Sequence, residues 1–279
     1  MAFTRFSAAV PSLEGMTADH HEGQRVSRRR IIAGIGSIGL GAILTACSGE
    51  AGTPSAVATT EGTASITPQT APATGLDALF ARAGTCTLTE ATTQGPYYFD
   101  ADKVRSDIRE DRQGVRLAVA IKVQDGEACT PIPDAVVEIW HCDAAGLYSG
   151  AEAMSRGEGG GGMGGGDLEP QDDKRYLRGA QVTDKEGIVR FTTIWPGWYR
   201  GRTVHIHAMV HVGGRRTLTT QVIFPEDLNT EVFKQQPYAA QGERDTFNDD
   251  DGIAGESTMT VVAEDGDGYQ AVAIFGVSP

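Results

Sequence analysis

A phenol, a guanidinium and two imidazoles lie close together in one stretch of the chain, on Tyr199, Arg202, His205 and His207. Apolar residues alternate with the histidines over residues 203–212, and this period of two predicts a β-strand with one face towards a core. Side chains two residues apart on a strand share a face and lie about 6 to 7 Å apart at the backbone, so the two imidazoles can converge on one ion. The spacing therefore indicates a metal site.

A second phenol follows another predicted strand. Residues 135–142 form an apolar run typical of a buried strand, and the glycine-containing turn after it ends at Tyr148. A further strand over residues 188–194 leads to Tyr199. Two phenolates and two imidazoles favour a trivalent ion by charge balance, because the ion must displace a proton from each phenol. The side chains therefore predict Fe(III).

Each of these residues also has a purely structural interpretation. The histidines could face water from a half-exposed strand, and Tyr148 could be an ordinary turn residue. Tyr199 could pack on Trp198 or Trp195. Arg202 could pair with one of the many carboxylates. The order of the motifs along the chain favours the functional interpretation over these alternatives.

Five short motifs follow one another along residues 86–279. They are Gly-Pro starting at Gly95, Trp-His-x-Asp-x-x-Gly-x-Tyr-Ser ending at Ser149, Pro-x-x-Tyr ending at Tyr199, Arg-x-x-His-x-His ending at His207 and Thr-Thr-Gln ending at Gln221. In this order they resemble the intradiol ring-cleavage dioxygenases, non-haem Fe(III) enzymes that include the catechol 1,2-, protocatechuate 3,4- and hydroxyquinol 1,2-dioxygenases. The connection between Tyr199 and His205 is shorter than in the cytoplasmic members, which leaves the shape of the pocket open.

The resemblance implies a set of four ligands to Fe(III). The ligands are Tyr148, Tyr199, His205 and His207. Tyr199 is then catalytic as well, because in the family the substrate displaces this tyrosine and the phenol helps to take up a substrate proton.

Further residues line the implied site. Arg202 is the family's active-site arginine and would stabilise negative charge on the substrate, and Gln221 would orient the same region. The implied substrate pocket is lined by Tyr97, Tyr98 and Trp198, with the choice between the two adjacent tyrosines left open.

The implied reaction inserts both atoms of O2 between the two hydroxylated carbons of a catechol-type aromatic and gives a cis,cis-muconate-type diacid. The sequence does not choose among catechol, protocatechuate, hydroxyquinol and chlorocatechol. One alternative is a lipid-anchored, transthyretin-like binding module that captures aromatics or metal without turnover. Another is a related oxygenase that uses a divalent metal.

The N-terminal residues resemble an export signal. Residues 28–30 are three arginines, and a glycine-rich apolar run over residues 31–44 leads to Cys47. The pattern resembles a twin-arginine signal peptide over residues 1–46 that ends in a lipobox, with Cys47 as the lipid-modified residue. The run is short for a membrane span of roughly 20 residues, so an uncleaved anchor is the lesser alternative. We therefore expect a lipoprotein on the outer face of the cytoplasmic membrane.

Composition separates a linker from a folded domain. Residues 47–85 are rich in Ser, Thr, Ala, Gly and Pro and predict a flexible tether, and residues 86–279 then form the catalytic domain. The formal net charge of −13 argues against nucleic acid as a partner and against electrostatic adhesion to anionic lipid. We expect membrane contact through the N-terminal lipid alone. The sequence leaves the oligomeric state open.

The domain is predicted to be an all-β, antiparallel β-sandwich with long loops and little helix. The predicted strands cover residues 116–123, 135–142, 188–194, 203–212, 217–224, 257–264 and 269–275, and the best helical pattern covers residues 227–235. Short strands separated by turns are typical of this fold.

The sequence also gives predictions for two loops and for the cysteines. Residues 157–166, nearly all glycine, predict a mobile surface loop, and the acidic residues 248–252 predict a solvated turn. In an exported protein a disulfide is permitted, and we expect it between Cys129 and Cys142, which leaves Cys86 over. The cysteines could instead be small buried hydrophobes.

Overall fold

A computed structural model describes residues 55–59, 62–66, 75–84, 86–158 and 167–278. The predicted signal peptide, the lipidation site Cys47 and residues 159–166 of the glycine-rich run lie outside the described residues. The strands are β1 Ser55–Thr59, β2 Gly62–Ile66, β3 Arg116–Asp125, β4 Val136–Trp140, β5 Arg178–Val182, β6 Ile188–Ile194, β7 His205–Val212, β8 Arg215–Ile223, β9 Thr258–Met259, β10 Val261–Asp265 and β11 Gly268–Val277. The helices are α1 Leu76–Ala83, α2 Glu152–Ser155 and α3 Glu226–Val232, with 3-10 turns at Tyr238–Gln241 and Ala254–Glu256.

Two sheets form the predicted β-sandwich. One has the strand order β10-β11-β3-β6, and the other has the order β5-β4-β7-β8-β9. Most neighbours are antiparallel, but β11 pairs with β3 and β9 pairs with β8 in parallel. The all-β prediction is confirmed, with two parallel pairings that alternation of side chains does not reveal. Strands β1 and β2 form a separate hairpin.

The main core lies between the two sheets. Val119 and Ile121 of β3 face Ile206 and Ala208 of β7 across it, and all four are buried. Because side chains alternate along a strand, the intervening histidines of β7 point to the opposite face of the five-stranded sheet. That outer face is covered too, since His205, His207 and His211 are all buried. The half-exposed strand considered as an alternative is therefore wrong.

Helix α1 covers the outer face of the four-stranded sheet. Leu76, Leu79 and Phe80 are buried against Val272 of β11 and Ile188 of β6. The predicted linker extended to residue 85, so this helix corrects its boundary, and the folded part begins before Cys86. The apolar residues of this helix have the spacing i, i+3, i+4, which indicates a helix. Composition alone does not reveal that spacing. Among the described helices, none is long and apolar enough to cross a bilayer.

Strand β5 was not among the predicted strands. All five of its residues are buried, so it shows no alternation of apolar and polar side chains. Its Gly179 packs directly under Ile108 and Arg105, where a Cβ would clash with the Ile108 side chain. A buried edge strand with glycine and polar residues has no clear sequence signature.

The predicted pairing of Cys129 with Cys142 is wrong. The disulfide joins Cys86 to Cys129, with a Cα–Cα distance of 5.3 Å, and Cys142 is a buried free thiol. Cys129 and Cys142 flank the extended β4 segment, so they lie at opposite ends of it. At about 3.3 Å per residue, a strand holds its two ends much further apart than the roughly 7 Å that a disulfide can bridge.

Candidate metal centre

Four predicted donors converge on the outer face of the five-stranded sheet. The Nε2 atom of His205 lies 3.2 Å from Nε2 of His207, 3.4 Å from the hydroxyl of Tyr148 and 3.3 Å from the hydroxyl of Tyr199. The Tyr148 and Tyr199 rings meet edge to face at 5.8 Å between centroids. Residues separated by up to 59 positions in the chain thus present their polar atoms to one point.

Strand β7 places the two imidazoles, and loops place the two phenols. Tyr148 ends a turn in which Asp143 Oδ1 accepts hydrogen bonds from the backbone of Ala145 at 2.9 Å and Leu147 at 3.0 Å. Gly146 of this turn, at φ +80°, packs against the backbone carbonyl of Trp198 where no Cβ would fit. The turn that carries Tyr148 is therefore locked against the loop that carries Tyr199.

Burial keeps all four donors neutral in the absence of a bound cation. It lowers the pKa of His205 to about 3 and the pKa of His207 well below its usual value, with Arg202 lowering both further. Burial likewise raises the pKa of Tyr148 and of Tyr199. Neutral imidazoles are ready to bind a metal, whereas the phenols must give up their protons to do so.

The donor set fits a metal ion. Two donors bound at about 2.0 to 2.2 Å to one ion lie about 3 to 3.5 Å from each other, as these do. Among the described residues, no group of three or more His, Cys, Asp or Glu side chains could hold a metal. The hydroxyls of Tyr148 and Tyr199, 3.4 Å and 3.3 Å from His205 Nε2, can complete a ligand set built on His205 and His207. Two phenolate oxygens and two imidazole nitrogens suit a trivalent ion.

The segment before β3 covers the four donors. Tyr97 stacks on Tyr148 at 4.3 Å between ring centroids and 16° between planes. Gly95, at φ +69°, lies so close to His207 that a Cβ would be 3.0 Å from the imidazole Cε1. The residue at this position must therefore be small and tolerate a left-handed backbone.

Two predicted pocket residues are not brought to the donors. Tyr98 points the other way from Tyr97, with its ring 4.6 Å from Trp140 and its hydroxyl 3.3 Å from Glu138 Oε2. Trp198 packs against the main core. Tyr97 ends a turn at residues 96 and 97 and Tyr98 follows that turn, so the two side chains leave the backbone in different directions and only Tyr97 reaches the site.

Arg202 and Gln221 meet beside the donors as the motifs predicted. The Arg202 Nη2 donates to Gln221 Oε1 at 2.6 Å, and Gln221 Nε2 donates to the Thr93 carbonyl at 3.3 Å. Gln221 is opposite His207 in the register of β7 with β8. The amide therefore ties the arginine to β8, next to the histidines of β7.

Arg178 is a buried cation that the sequence interpretation missed. Its Nε donates to Ser149 Oγ at 2.9 Å, and its Nη2 donates to the Tyr97 carbonyl at 2.8 Å. Burial lowers its pKa to about 9. Arg178 thereby joins the segment of Tyr97 to the segment of Tyr148. It lies outside the motifs and the predicted strands, so no sequence signal pointed to this contact.

Comparisons with known proteins agree with this geometry. A family model described as Dioxygenase matches residues 93–246. An intradiol ring-cleavage dioxygenase from Tetranychus urticae is 32% identical and has a TM-score of 0.65, over 70% of this chain and 96% of that chain. The chain belongs to the intradiol ring-cleavage dioxygenase family. This family is known to use non-haem iron.

More distant relatives of this intradiol dioxygenase family member are bacterial enzymes. Hydroxyquinol 1,2-dioxygenase of Corynebacterium glutamicum is 28% identical over 52% of this chain and 48% of its own length. Catechol 1,2-dioxygenase of Acinetobacter baylyi is 27% identical over 53% of this chain and 50% of its own length. The chain therefore spans about half the length of these curated relatives.

Proposed function

We propose that the protein is an Fe(III)-dependent intradiol dioxygenase that cleaves the ring of a catechol-type aromatic with O2. The observation that supports this most strongly is the convergence of two phenols and two imidazoles, with the guanidinium of Arg202 fixed beside them. Both oxygen atoms enter the product, and the bond between the two hydroxylated carbons breaks, which gives a cis,cis-muconate-type diacid.

Tyr148, Tyr199, His205 and His207 would hold the iron. When bound there, Fe(III) would supply the positive charge that stabilises two phenolates and the redox chemistry by which a catechol-type substrate reacts with O2. Tyr148 is fully buried, whereas Tyr199 is partly exposed. Tyr199 is therefore the phenol that an incoming substrate can reach, and its phenolate oxygen would accept a substrate proton and become a neutral phenol.

Arg202 would stabilise the negative charge that develops on the substrate ring and its oxygen. Arginine offers a planar, positively charged group, and shielding from water strengthens the effect of such a charge on a nearby anion. Tyr97, stacked on Tyr148, would close one side of the substrate pocket and exclude water. A binding module that does not turn over its ligand would have no need of an oriented arginine.

The visible spectrum of the iron-loaded protein tests this function. We expect a tyrosinate-to-iron(III) band that shifts on anaerobic addition of catechol, followed by O2 uptake when air is admitted. Tyr148→Phe and Tyr199→Phe should each remove or alter the band, because each removes one phenolate.

Tyr98→Phe is the matched control, since this neighbouring tyrosine contacts Trp140 and Glu138 instead of the donors. It should leave the band in place. A protein that stays colourless with iron would favour the binding module or a divalent metal. A band that shifts with catechol while no catechol in the series supports O2 uptake would reject turnover.

We also propose that the protein is exported and anchored through Cys47. The arginines at residues 28–30, the apolar run and Cys47 support this, and the Cys86–Cys129 disulfide is typical of oxidising compartments. Mass analysis of the non-reduced mature protein should find an N-terminal, lipid-modified Cys47 and a linked Cys86–Cys129 peptide pair. An unmodified peptide that continues upstream of Cys47 would contradict the lipid anchor, and a reduced Cys86 would contradict the disulfide.

A further inference from the structure

Arg202 is held from two sides. Its Nη2 donates to Gln221, and its Nε donates to Asp251 Oδ2 at 2.9 Å. Among the described residues no hydrogen-bond partner occupies Nη1. The two contacts fix the plane of the guanidinium and leave one amino group to meet charge on a substrate.

Asp251 is itself held firmly. Its Oδ2 also accepts from the backbone N–H of Thr203 at 2.8 Å, and its Oδ1 accepts from Ile253 N–H at 2.9 Å. The side chain is only 2% exposed. Burial alone would raise its pKa, but these hydrogen bonds and the charge of Arg202 outweigh burial and lower it. The carboxylate therefore stays charged and cannot rotate away from Arg202 without losing several hydrogen bonds.

The turn that carries Asp251 is docked on the domain instead of being solvated as the sequence suggested. Asn248 accepts a hydrogen bond from Thr203 Oγ1 at 2.6 Å, and its own backbone N–H donates to Glu226 Oε2 of α3 at 2.9 Å. Its side-chain amide donates to the Phe224 carbonyl at 2.9 Å. The turn thus connects helix α3 to the start of the ligand strand.

We propose that Asp251 is a positioning residue that aims the Arg202 guanidinium at the substrate. This inference rests on the proposed function, because it assigns Arg202 to the reaction. Asp251 touches Arg202 and not the four donors, so its loss should lower turnover without disturbing the iron ligands. The turn at residues 248–252 would therefore affect ring cleavage through the ion pair of Asp251 with Arg202.

Kinetics of four iron-loaded variants tests the proposal. Asp251→Asn should lower kcat for catechol by about 10- to 100-fold with little change in KM, and it should keep the iron content and the tyrosinate band. Asp250→Asn is the matched control, because it removes a charge from an exposed position of the same turn, and kcat should stay within about twofold. In an Arg202→Ala background, Asp251→Asn should cause no further loss.

The proposal would be overturned if Asp251→Asn lowered kcat in the Arg202→Ala background by the same factor as in the wild type. An unchanged kcat in Asp251→Asn alone would also overturn it. Loss of the tyrosinate band in this variant would signal a fold defect. Asp251→Glu then takes its place, since it keeps the charge and displaces the carboxylate by one methylene. A fall in kcat with an intact band is again the expected result, and an unchanged kcat again overturns it.

A second readout does not depend on turnover. In metal-free protein with 15N-labelled arginine, the Nε–H signal of Arg202, assigned by its loss in Arg202→Lys, should be protected from solvent exchange. Protection should survive in Asp250→Asn and disappear in Asp251→Ala, which removes the acceptor oxygens. Protection that persists in Asp251→Ala would overturn the positioning role whatever the activity. Absence of ring cleavage in the wild type would instead overturn the proposed function.

Discussion

Gly95 sets how closely the covering segment approaches the four proposed metal ligands. Its backbone lies at φ +69°, and an added Cβ would lie 3.0 Å from Cε1 of His207, so the imidazole would have to move by a few tenths of an ångström. A ligand that a neighbouring backbone confines in this way keeps its orientation before metal arrives. Gly95 therefore acts on the site through the position of an imidazole and not through a polar group.

Replacing Gly95 by Ala should weaken iron binding by about tenfold, because the new methyl group pushes His207 out of line. Iron retained after dialysis against a chelator measures the effect. Gly214→Ala is the matched control, since Gly214 also has a left-handed backbone, at φ +77°, but has no atom within 4 Å of an added Cβ. Both variants should lose about 1 to 2 kcal/mol of stability to backbone strain. Equal iron retention in the two would contradict a steric role for Gly95.

The residues of the site differ in how far the sequence predicts them. The four donors and Arg202 fall in motifs whose spacing carries their chemistry. Asp251 could not be predicted, because one acidic residue in a run of acidic residues looks like solvent-facing charge until the turn is seen to dock. The choice of Tyr97 over Tyr98 also required the structure, since it depends on the direction of an irregular segment.

At the scale of elements, His141 links the two sheets. It follows β4 of the five-stranded sheet, and its Nε2 lies 2.7 Å from Thr193 Oγ1 on β6 of the other sheet. Its Nδ1 lies 2.8 Å from the Cys142 carbonyl. The ring is completely buried, and this burial lowers its pKa from 6.5 to about 4. His141 is thus a neutral connector inside the sandwich.

Acid should weaken the sandwich through His141. Between pH 6.5 and about pH 4, the unfolded chain binds a proton at this residue that the folded chain does not. The free energy of unfolding should therefore fall as pH drops through this window, by up to about 3 kcal/mol from this group. Urea unfolding of metal-free wild type and His141→Gln between pH 7.5 and 4.5 measures the difference. The variant should show the flatter profile.

Thr193→Val is the control for this experiment. It removes the partner of Nε2 and keeps the imidazole, so stability should drop at every pH while the steep dependence on pH remains. Parallel profiles for the wild type and His141→Gln would mean that another group causes the acid sensitivity.

The elements that the sequence predicted best are those with one buried face and one distinct face. Strand β6 has the predicted bounds, and α3 begins one residue before and ends three residues before the prediction. Strand β5 was missed because its residues are buried throughout, and α1 was missed because its few apolar residues lie in a linker-like composition. Which cysteines pair depends on loop positions that alternation does not encode.

At the scale of the whole molecule, the chemistry lies outside the sandwich core. The main core fills the space between the sheets, while the four donors lie on the outer face of the five-stranded sheet under loops. One face of strand β7 therefore packs into the core and stabilises the fold. The opposite face carries the two histidines of the candidate site. The fold class could be predicted from strand length and turn spacing. Which face of β7 packs into the core could be established only from the order in which the strands pair.

The position of strand β11 also determines when the domain can fold. β11 lies between β10 and β3, and its pairing with β3 spans residues 117–125. A chain emerging from the ribosome therefore holds β3 with one side unpaired until residue 277 has left the exit tunnel, and α1 has no complete surface to cover. Contacts between such distant segments form slowly. The domain can therefore complete its fold only after residue 277 is free of the tunnel, and the candidate metal site, whose donors come from β7 and two loops, can form only then.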